Sequence, residues 1–342
     1  MSGQDRLARP TIQCAFVTSD ALRAILERLP TVPFASAPTP VEPLPRLSAA
    51  LGGGPRLLIK RDDAIPFGFG GNKVRKLAFV AGRARTEGAD TLITAGGIQS
   101  NHARATASAA AALGLRAILV ANGERPPRAT ANALLDALLG AEVVYVPARA
   151  DRAPRMETIA ADLRGAGRRP FIIPIGASTP LGALGYVRAM LELLTQMPAP
   201  DVIVHATSSG GTQAGLVAAA RLLRLPTRII GVSADDPADA LAGAIGAIVA
   251  GVGELLDVDA DALAQGAPIE VDDRFVGEGY GIPTAESREA LELSARSDAI
   301  FLDPTYTAKA MAGLIAYLRQ RSFSDNQTVL FWHTGGQVGL FA

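Results

Sequence analysis

Four of the 33 basic residues in this 342-residue chain are lysine, at Lys60, Lys73, Lys76 and Lys309. Chemistry that needs a neutral amine as nucleophile or base therefore has four candidate positions. Lys73 stands apart by its setting, behind Gly70, Gly71 and Asn72 and ahead of Arg75 and Lys76. Glycines before a lysine could form a Walker-type phosphate grip, but Val74 stands where that motif requires Ser or Thr, which argues against an NTPase. Read alone, the cluster could be a solvated helix start; the glycines and the scarcity of lysine elsewhere weigh against that. A second candidate is Gly96, Gly97, Ile98, Gln99, Ser100, Asn101, His102, a run that leads from an apolar segment into an Ala-rich one. Free N–H groups and the helix dipole there would favour a carboxylate, although Ser100 or Asn101 would also serve as a plain N-cap. A third is Thr207, Ser208, Ser209, Gly210, Gly211, Thr212, a cup of hydroxyls and N–H groups suited to a phosphate. It lacks the G-x-G-x-x-G spacing of a dinucleotide site, so it points to a monophosphate. The fourth is His333, Thr334, Gly335, Gly336. The Thr334 hydroxyl could meet a heteroaromatic nitrogen or simply close a turn, and by itself the turn is favoured.

An amine nucleophile, a carboxylate cradle, a phosphate cup and a neutral hydroxyl are together what a pyridoxal 5′-phosphate enzyme acting on an amino acid requires. His205 and His333 read as packed histidines rather than catalysts. Other classes recede on composition. Cys14, the single cysteine, excludes a disulfide framework and a cysteine-rich zinc site, and three widely spaced histidines leave no histidine metal cluster, so no metal is expected. Zero formal net charge without a basic run argues against nucleic-acid binding. No run of 18 apolar residues predicts a transmembrane helix, and residues 1–30 lack the pattern of a secretory signal, so the expected address is the cytoplasm.

These loops need strands and helices to position them. Strands are expected at 90–94, 117–120, 142–146, 171–175, 202–206, 228–233 and 329–332. Helices are expected at 101–113 (stopping at Gly114), 130–139, 156–164, 213–223, 285–296 and 307–318. Strands that are apolar throughout imply parallel sheets covered on both faces, and ligands in such folds bind beyond the carboxyl ends of the strands. The Pro-rich residues 30–45 read as an extended wrapping segment. Two α/β lobes with a cleft between them suit this length.

Several segments are familiar. IKRDD (59–63), GGNKVRKL (70–77), GADTLITAGGIQSNHAR (88–104), LGALGYV (181–187), GTQAG (211–215), GYGIPT (279–284), LDPTYTAKAMAGL (302–314) and LFWHTGG (330–336) resemble the D-cysteine desulfhydrase and 1-aminocyclopropane-1-carboxylate deaminase family. The resemblance runs from about residue 30 to the end. It implies fold type II, the two-domain α/β fold of the tryptophan synthase β-subunit, with twisted parallel sheets, helices on both faces and an active site in the interdomain cleft. The large domain would comprise residues 1–76 and 182–342, the small one 77–181. The resemblance makes Lys73 the Schiff-base lysine, with Asn72 beside it and Lys76 as a phosphate neighbour. Asn101 would face the cofactor's 3-hydroxyl and Ser100 the substrate carboxylate and Cα, with His102 and Thr307 also on the substrate side. Ser208, Ser209, Gly210, Gly211 and Thr212 would hold the phosphate, Tyr280 and Tyr306 would be the two active-site tyrosines, and Thr334 would meet the pyridine nitrogen. The deaminases of the family typically carry Glu after the second tyrosine and Leu before the last Gly-Gly. Thr307 and Thr334 at those places favour the desulfhydrase pattern, an α,β-elimination converting D-cysteine to pyruvate, sulfide and ammonia. L-Cysteate sulfo-lyase, the cyclopropane deaminase and a β-replacement synthase are the alternatives within the fold; a non-catalytic amino-acid or cofactor-binding protein is the alternative outside it. The resemblance also implies a homodimer. Phe67 and Phe69 before the lysine loop are bulkier than the family pattern, which leaves simple packing or a reshaped pocket open.

Overall fold

The structure is a computed structural model that describes residues 17–35 and 37–342; Cys14 and the start of the N-terminal stretch lie outside these. The first part of the chain runs α1 (Ser19–Glu27), β1 (Val41–Pro43), α2 (Pro45–Ala50), β2 (Arg56–Arg61), α3 (Asn72–Thr86), β3 (Thr91–Gly97) and α4 (Asn101–Leu113). It continues through β4 (Arg116–Asn122), α5 (Ala131–Leu138), β5 (Glu142–Val146), α6 (Arg152–Gly165), β6 (Pro170–Ile172) and α7 (Pro180–Gln196). Then follow β7 (Val202–Thr207), α8 (Gly211–Leu222), β8 (Arg228–Ser233), α9 (Ala238–Leu256), α10 (Ala260–Ala264) and β9 (Glu270–Asp272). The last elements are α11 (Ala285–Asp298), α12 (Thr307–Arg319) and β10 (Thr328–His333).

Among the described residues the strands form two sheets, one of six strands in the order β1-β2-β10-β7-β8-β9 and one of four in the order β5-β4-β3-β6. All pairings are parallel except that of β1 with β2, so the larger sheet is mixed at one edge. That edge is where the Pro-rich segment contributes: 41–43 pairs as a short strand and Pro45 opens α2 at a position where a missing N–H costs nothing. Alternate residues of the large sheet serve opposite cores. Leu58, Ile203, Leu330 and Trp332 pack with α1, α7, α8 and α9, whereas Leu57, Ile59, Val204 and Phe331 pack with α2 and α12. In the small sheet Leu92 and Leu119 face α3 and α4 while Ile93, Ile118 and Val120 face α6.

Local signals explain the well-anticipated elements. Ser100 caps α4 by accepting from Ala103 N at 3.2 Å, and Gly114 ends it in the left-handed conformation. The expected strand at 171–175 is shorter, ending at Ile172, because Ile175–Ala177 turns as a 3-10 helix. Helix α9, 19 residues with a mean hydropathy of 1.6, is long and apolar enough to cross a membrane. Here it turns Leu241, Ile245, Val249, Val252 and Leu256 into the core beside α7 and α8. Phe67 stacks on Phe34 with ring centroids 4.4 Å apart, which is packing, and Phe69 is 57% exposed.

Helices α3, α7 and α8 approach through small residues. A Cβ on Gly185 would stand 2.3 Å from the Arg75 carbonyl oxygen, which is backbone and cannot step aside. Gly185→Ala is expected to separate α7 from α3 and to destabilise the fold by about 1–3 kcal/mol, read as a lowered Tm.

Candidate active site

Helix α3 begins at the carboxyl end of β2, and its first turn is pinned to the end of β10. The Asn72 N–H donates to the Thr334 carbonyl at 2.9 Å and the Gly71 N–H to the Asp62 carbonyl at 2.8 Å. Gly71 has φ 93, and a Cβ there would meet the Thr334 oxygen at 3.0 Å, so this close approach needs glycine. Lys73 is thereby delivered to a cavity between the two sheets, lined also by the ends of β3, β4, β7 and β10. The open volume, mouth included, is about 990 Å³, enough for a cofactor and a small substrate.

The four lysines now separate. Lys60 is buried in ion-pair contact with Glu192 at 2.6 Å, a structural role. Lys309 donates to the Val276 and Gly279 carbonyls at 2.7 and 2.8 Å and so clamps the loop that carries Tyr280. Lys76 donates to the Gly176 carbonyl at 3.0 Å and to Ser178 Oγ at 3.1 Å. Lys73 alone has no hydrogen bond or ion pair among the described residues, and burial pulls its amine down to about 8. Burial, reinforced by the charge of Lys73, lowers Lys76 as well. The same cavity that desolvates Lys73 supplies what a reactive lysine needs, a large neutral fraction near neutral pH.

The third loop behaves as a cup at the N-terminus of α8. Ser208, Ser209, Gly210 and Thr212 line the cavity; Gly211 sits just behind, its N–H donating to Ser178 Oγ at 3.2 Å. Ser178 Oγ donates in turn to Ser209 Oγ at 2.8 Å, and Asn72 Nδ2 donates to Thr212 Oγ1 at 2.9 Å, tying the lysine loop to the cup. Ser100 and Asn101 line the opposite side at the start of α4, so Ser100 both caps the helix and faces the cavity. Asn101 Oδ1 accepts from Asn132 Nδ2 at 2.9 Å, and Asn132 is itself held by Gln99, which orients the Asn101 amide. Tyr280 and Tyr306 are joined through their hydroxyls on the wall; burial raises both, Tyr306 the more. Thr334 lines the cavity at the end of β10.

Thr307 does not join this set. Its hydroxyl donates to Asp303 Oδ1 at 2.7 Å and accepts from Asp303 N at 2.8 Å, because the start of α12 captures it. The expected substrate contact at Thr307 is corrected accordingly. His102 lines the wall, but its Nε2 is within 2.8 Å of Thr94 Oγ1. Burial, with Lys73 and Lys76 nearby, pushes its pKa well below the histidine range, leaving a neutral ring. His205 and His333 stay off the wall, bonded to the carbonyls of Ala206 and Phe301. The structure adds Asn122, Arg149, Arg152, Ile175 and Gly176 to the lining. Little in the sequence marked the arginines, which flank Asp151, Arg149 in a 3-10 turn and Arg152 as the first residue of α6.

Comparison with known proteins gives the same picture. The family model for "Pyridoxal-phosphate dependent enzyme" matches residues 32–335. A solved structure described as an ACC deaminase homologue is 36% identical, with 94% of this chain and 96% of that one covered and a TM-score of 0.86. Threonine deaminase isoform 2 from Solanum lycopersicum (20% identity, 94% of this chain and 86% of that chain covered, TM-score 0.67) shares the fold. So does a pyridoxal 5′-phosphate-dependent aspartate racemase (18% identity, 94% and 95% covered, TM-score 0.67). The match spans all four strand-end loops, from the lysine behind its glycines to Thr334, and on that ground the chain belongs to the pyridoxal-phosphate dependent enzymes, in their fold type II form.

Proposed function

We propose that this enzyme is a lyase that performs α,β-elimination on a small β-substituted amino acid, with D-cysteine as the reference substrate. The observation that carries the reading is an unpaired, desolvated Lys73 amine facing a cavity with an anion cup on one side and a helix N-terminus on the other. Pyridoxal 5′-phosphate fits these residues. A Cβ on Gly211 would stand 2.7 Å from Ser178 Oγ and 2.9 Å from Lys76 Nζ, so the cup stays open only with glycine there. Among the described residues on the wall none is acidic, which suits a phosphate. When bound, the cofactor supplies an aldehyde and an electron-withdrawing ring.

Lys73 would hold that aldehyde and, once displaced by the substrate amine, take the Cα proton. Lys76 and Ser208 to Thr212 would hold the phosphate, with Asn72 steadying Thr212. Asn101 would face the 3-hydroxyl, and Thr334 would give the ring nitrogen a neutral partner. Ser100 and Asn101, at the positive end of α4, would seat the substrate carboxylate. The Tyr280–Tyr306 pair would face the reacting carbons. The pair of electrons from Cα–H becomes the new C=C bond, the Cβ–S pair leaves on sulfur, and hydrolysis of aminoacrylate gives pyruvate and ammonia.

The 36% identity to an ACC deaminase homologue supports a second reading, deamination of 1-aminocyclopropane-1-carboxylate. That substrate has no Cα proton for Lys73 to remove, and Thr334 replaces the leucine typical of those deaminases; Thr307, away from the cavity, no longer bears on the choice. Incubation with D-cysteine, L-cysteine, L-cysteate and 1-aminocyclopropane-1-carboxylate separates the readings. Pyruvate with sulfide or sulfite is expected. 2-Oxobutyrate from the cyclopropane would overturn the elimination reading, and spectral changes without any product would indicate a binding protein.

A further inference from the structure

We propose that Arg149 and Asp235 form a latch across the mouth of the cavity, and that Asp235, although off the cavity wall, is through Arg149 a positioning residue for Tyr280. The inference rests on the elimination reading, in which Tyr280 faces the reacting carbons.

The two partners come from different sheets. Arg149 lies in the turn between β5 of the four-stranded sheet and α6, and Asp235 follows β8 of the six-stranded one. Their ion pair, Arg149 NH2 to Asp235 Oδ2 at 2.8 Å, therefore joins the two sides of the cavity. It does so where the cavity meets solvent, since Arg149 lines the wall and yet leaves 58% of its side chain exposed. Asp235 is the fixed half, its side chain only 12% exposed. Its N–H donates to Ser233 Oγ at 3.2 Å and the Ala234 N–H to the Thr207 carbonyl at 3.0 Å. Arg149 is braced by its neighbour, whose Nε (Arg152) donates to the Arg149 carbonyl at 3.1 Å. Burial and the like charge of Arg149 lower the pKa of Arg152, and Asp235 acts against both, so one carboxylate serves both guanidiniums of this turn.

Tyr280 needs such a hold. It lies between β9 and α11 in a stretch without helix or strand, where Gly277, Gly279 and Gly281 have φ 66, 143 and 78. Glycines in that region leave the loop unfixed by its own backbone, and Tyr280 and Ile282 are partly exposed. Helix α12 supplies one set of holds. The Tyr306 hydroxyl bonds that of Tyr280, and Lys309 donates to the Val276 and Gly279 carbonyls and, at 3.4 Å, to that of Ala234 beside Asp235. These fix the loop and the tip of the ring to the six-stranded side. The Arg149 guanidinium reaches the ring itself from the four-stranded side, its carbon 5.4 Å from the centroid, an attractive cation–π contact. An ion pair this exposed adds little to folding stability, so its effect falls on the placement of what it touches. Without the carboxylate, Arg149 is free to swing into solvent and leave the ring.

The test compares holoenzyme with Asp235→Asn, Asp235→Glu, Arg149→Gln and the double variant Asp235→Asn/Arg149→Gln. Pyruvate formation gives kcat and KM on the amino acids named above, and hydrogen exchange of the segment 276–284 is followed with no substrate present. Asp235→Asn is expected to lower kcat about 10-fold with KM changed by less than about threefold. Exchange in 276–284 should quicken about 10-fold while Tm moves by less than about 2 °C. Asp235→Glu, which restores the carboxylate, should recover part of the loss. The double variant should lose no more than the worse single one, because the two residues act as a unit. Native kcat or native exchange in Asp235→Asn, losses that add in the double variant, or exchange quickened across the whole chain would overturn the inference. No pyruvate from any of these amino acids in the native enzyme would bring down the elimination reading, and the exchange comparison would still decide the latch.

Discussion

Replacing Lys73 by alanine is expected to lower turnover by about 10⁴-fold or more, since one amine serves both to hold the cofactor and to move the Cα proton. The native holoenzyme is expected to show an absorbance band near the visible edge, and the same change should remove it. Lys76, Lys60 and Lys309 are already engaged, with Ser178 and the Gly176 carbonyl, with Glu192, and with the loop before Tyr280, so none can stand in. Lys73→Arg should be as inactive, because a guanidinium stays protonated. Retained turnover in Lys73→Ala would remove the basis of the proposed chemistry.

A second readout of the same residue needs no substrate. Burial lowers the Lys73 pKa to about 8, so only the form above that pH is a nucleophile. At pH 7 roughly a tenth of the amine is neutral, against about one part in 3,000 for an ordinary lysine at 10.5. Cofactor uptake by the stripped protein should therefore rise about tenfold per pH unit below 8 and level off above it. A rise continuing past pH 10 would mean that the amine is solvated and unperturbed.

How much of this was legible in the sequence depended on whether local signals and tertiary demands agreed. Helix α4 carries both its end signals in residue type, Ser100 and Gly114, while strand β5 opens at Glu142 and stops before Pro147 and β8 runs from Arg228 to Ser233; their limits could be read directly. Helix α7 escaped because it is buried nearly all round, from Gly182 to Leu193, which erases the amphipathic period that marks a helix. Helix α9, rich in Ala and Gly, escaped for a related reason. At the site, the lysine and the cup were marked by residue type and order, and the two tyrosines by the family resemblance alone. Arg149 and Arg152 were hidden among 29 arginines, and what distinguishes them is their place on the cavity wall, a property of three dimensions. Thr307 failed the other way: its position in the chain fitted a family pattern, but Asp303 holds its hydroxyl. Ser178 carried no signal before the fold brought it to the cup.

Asp62→Ala is expected to destabilise the fold by about 3–5 kcal/mol, measured by denaturant unfolding, because it strands a buried cation. Asp62 has no exposed surface and accepts from Arg75 Nε at 2.9 Å, Tyr186 OH at 2.7 Å, Trp332 Nε1 at 2.8 Å and Thr39 Oγ1 at 3.0 Å. Those partners come from α3, α7, β10 and the segment before β1, so one carboxylate joins four parts of the chain. Arg75 and Lys60 are balanced there by Asp62 and Glu192, and removing either acid leaves a net charge in the core. The network also bears on catalysis, since the Asp62 carbonyl receives the Gly71 N–H two residues before Lys73. Weaker cofactor binding should therefore accompany the lost stability. By contrast Glu292→Ala, which breaks an exposed pair with Arg296, should change stability by less than about 0.5 kcal/mol. The same network predicts acid sensitivity. Burial opposes ionisation of Glu192, but hydrogen bonds and charge from Arg75 and Lys60 outweigh it and hold its carboxyl at about 2. A depressed carboxylate stabilises the folded state above its unfolded value of 4.5 and loses that contribution as pH falls toward 2. Stability should decline across that interval, and Glu192→Gln, less stable at neutral pH, should decline less steeply. An Asp62→Ala protein within 1 kcal/mol (about fivefold in the folding equilibrium) of the native one would mean that the buried charges are individually dispensable and that α3 is positioned by packing alone.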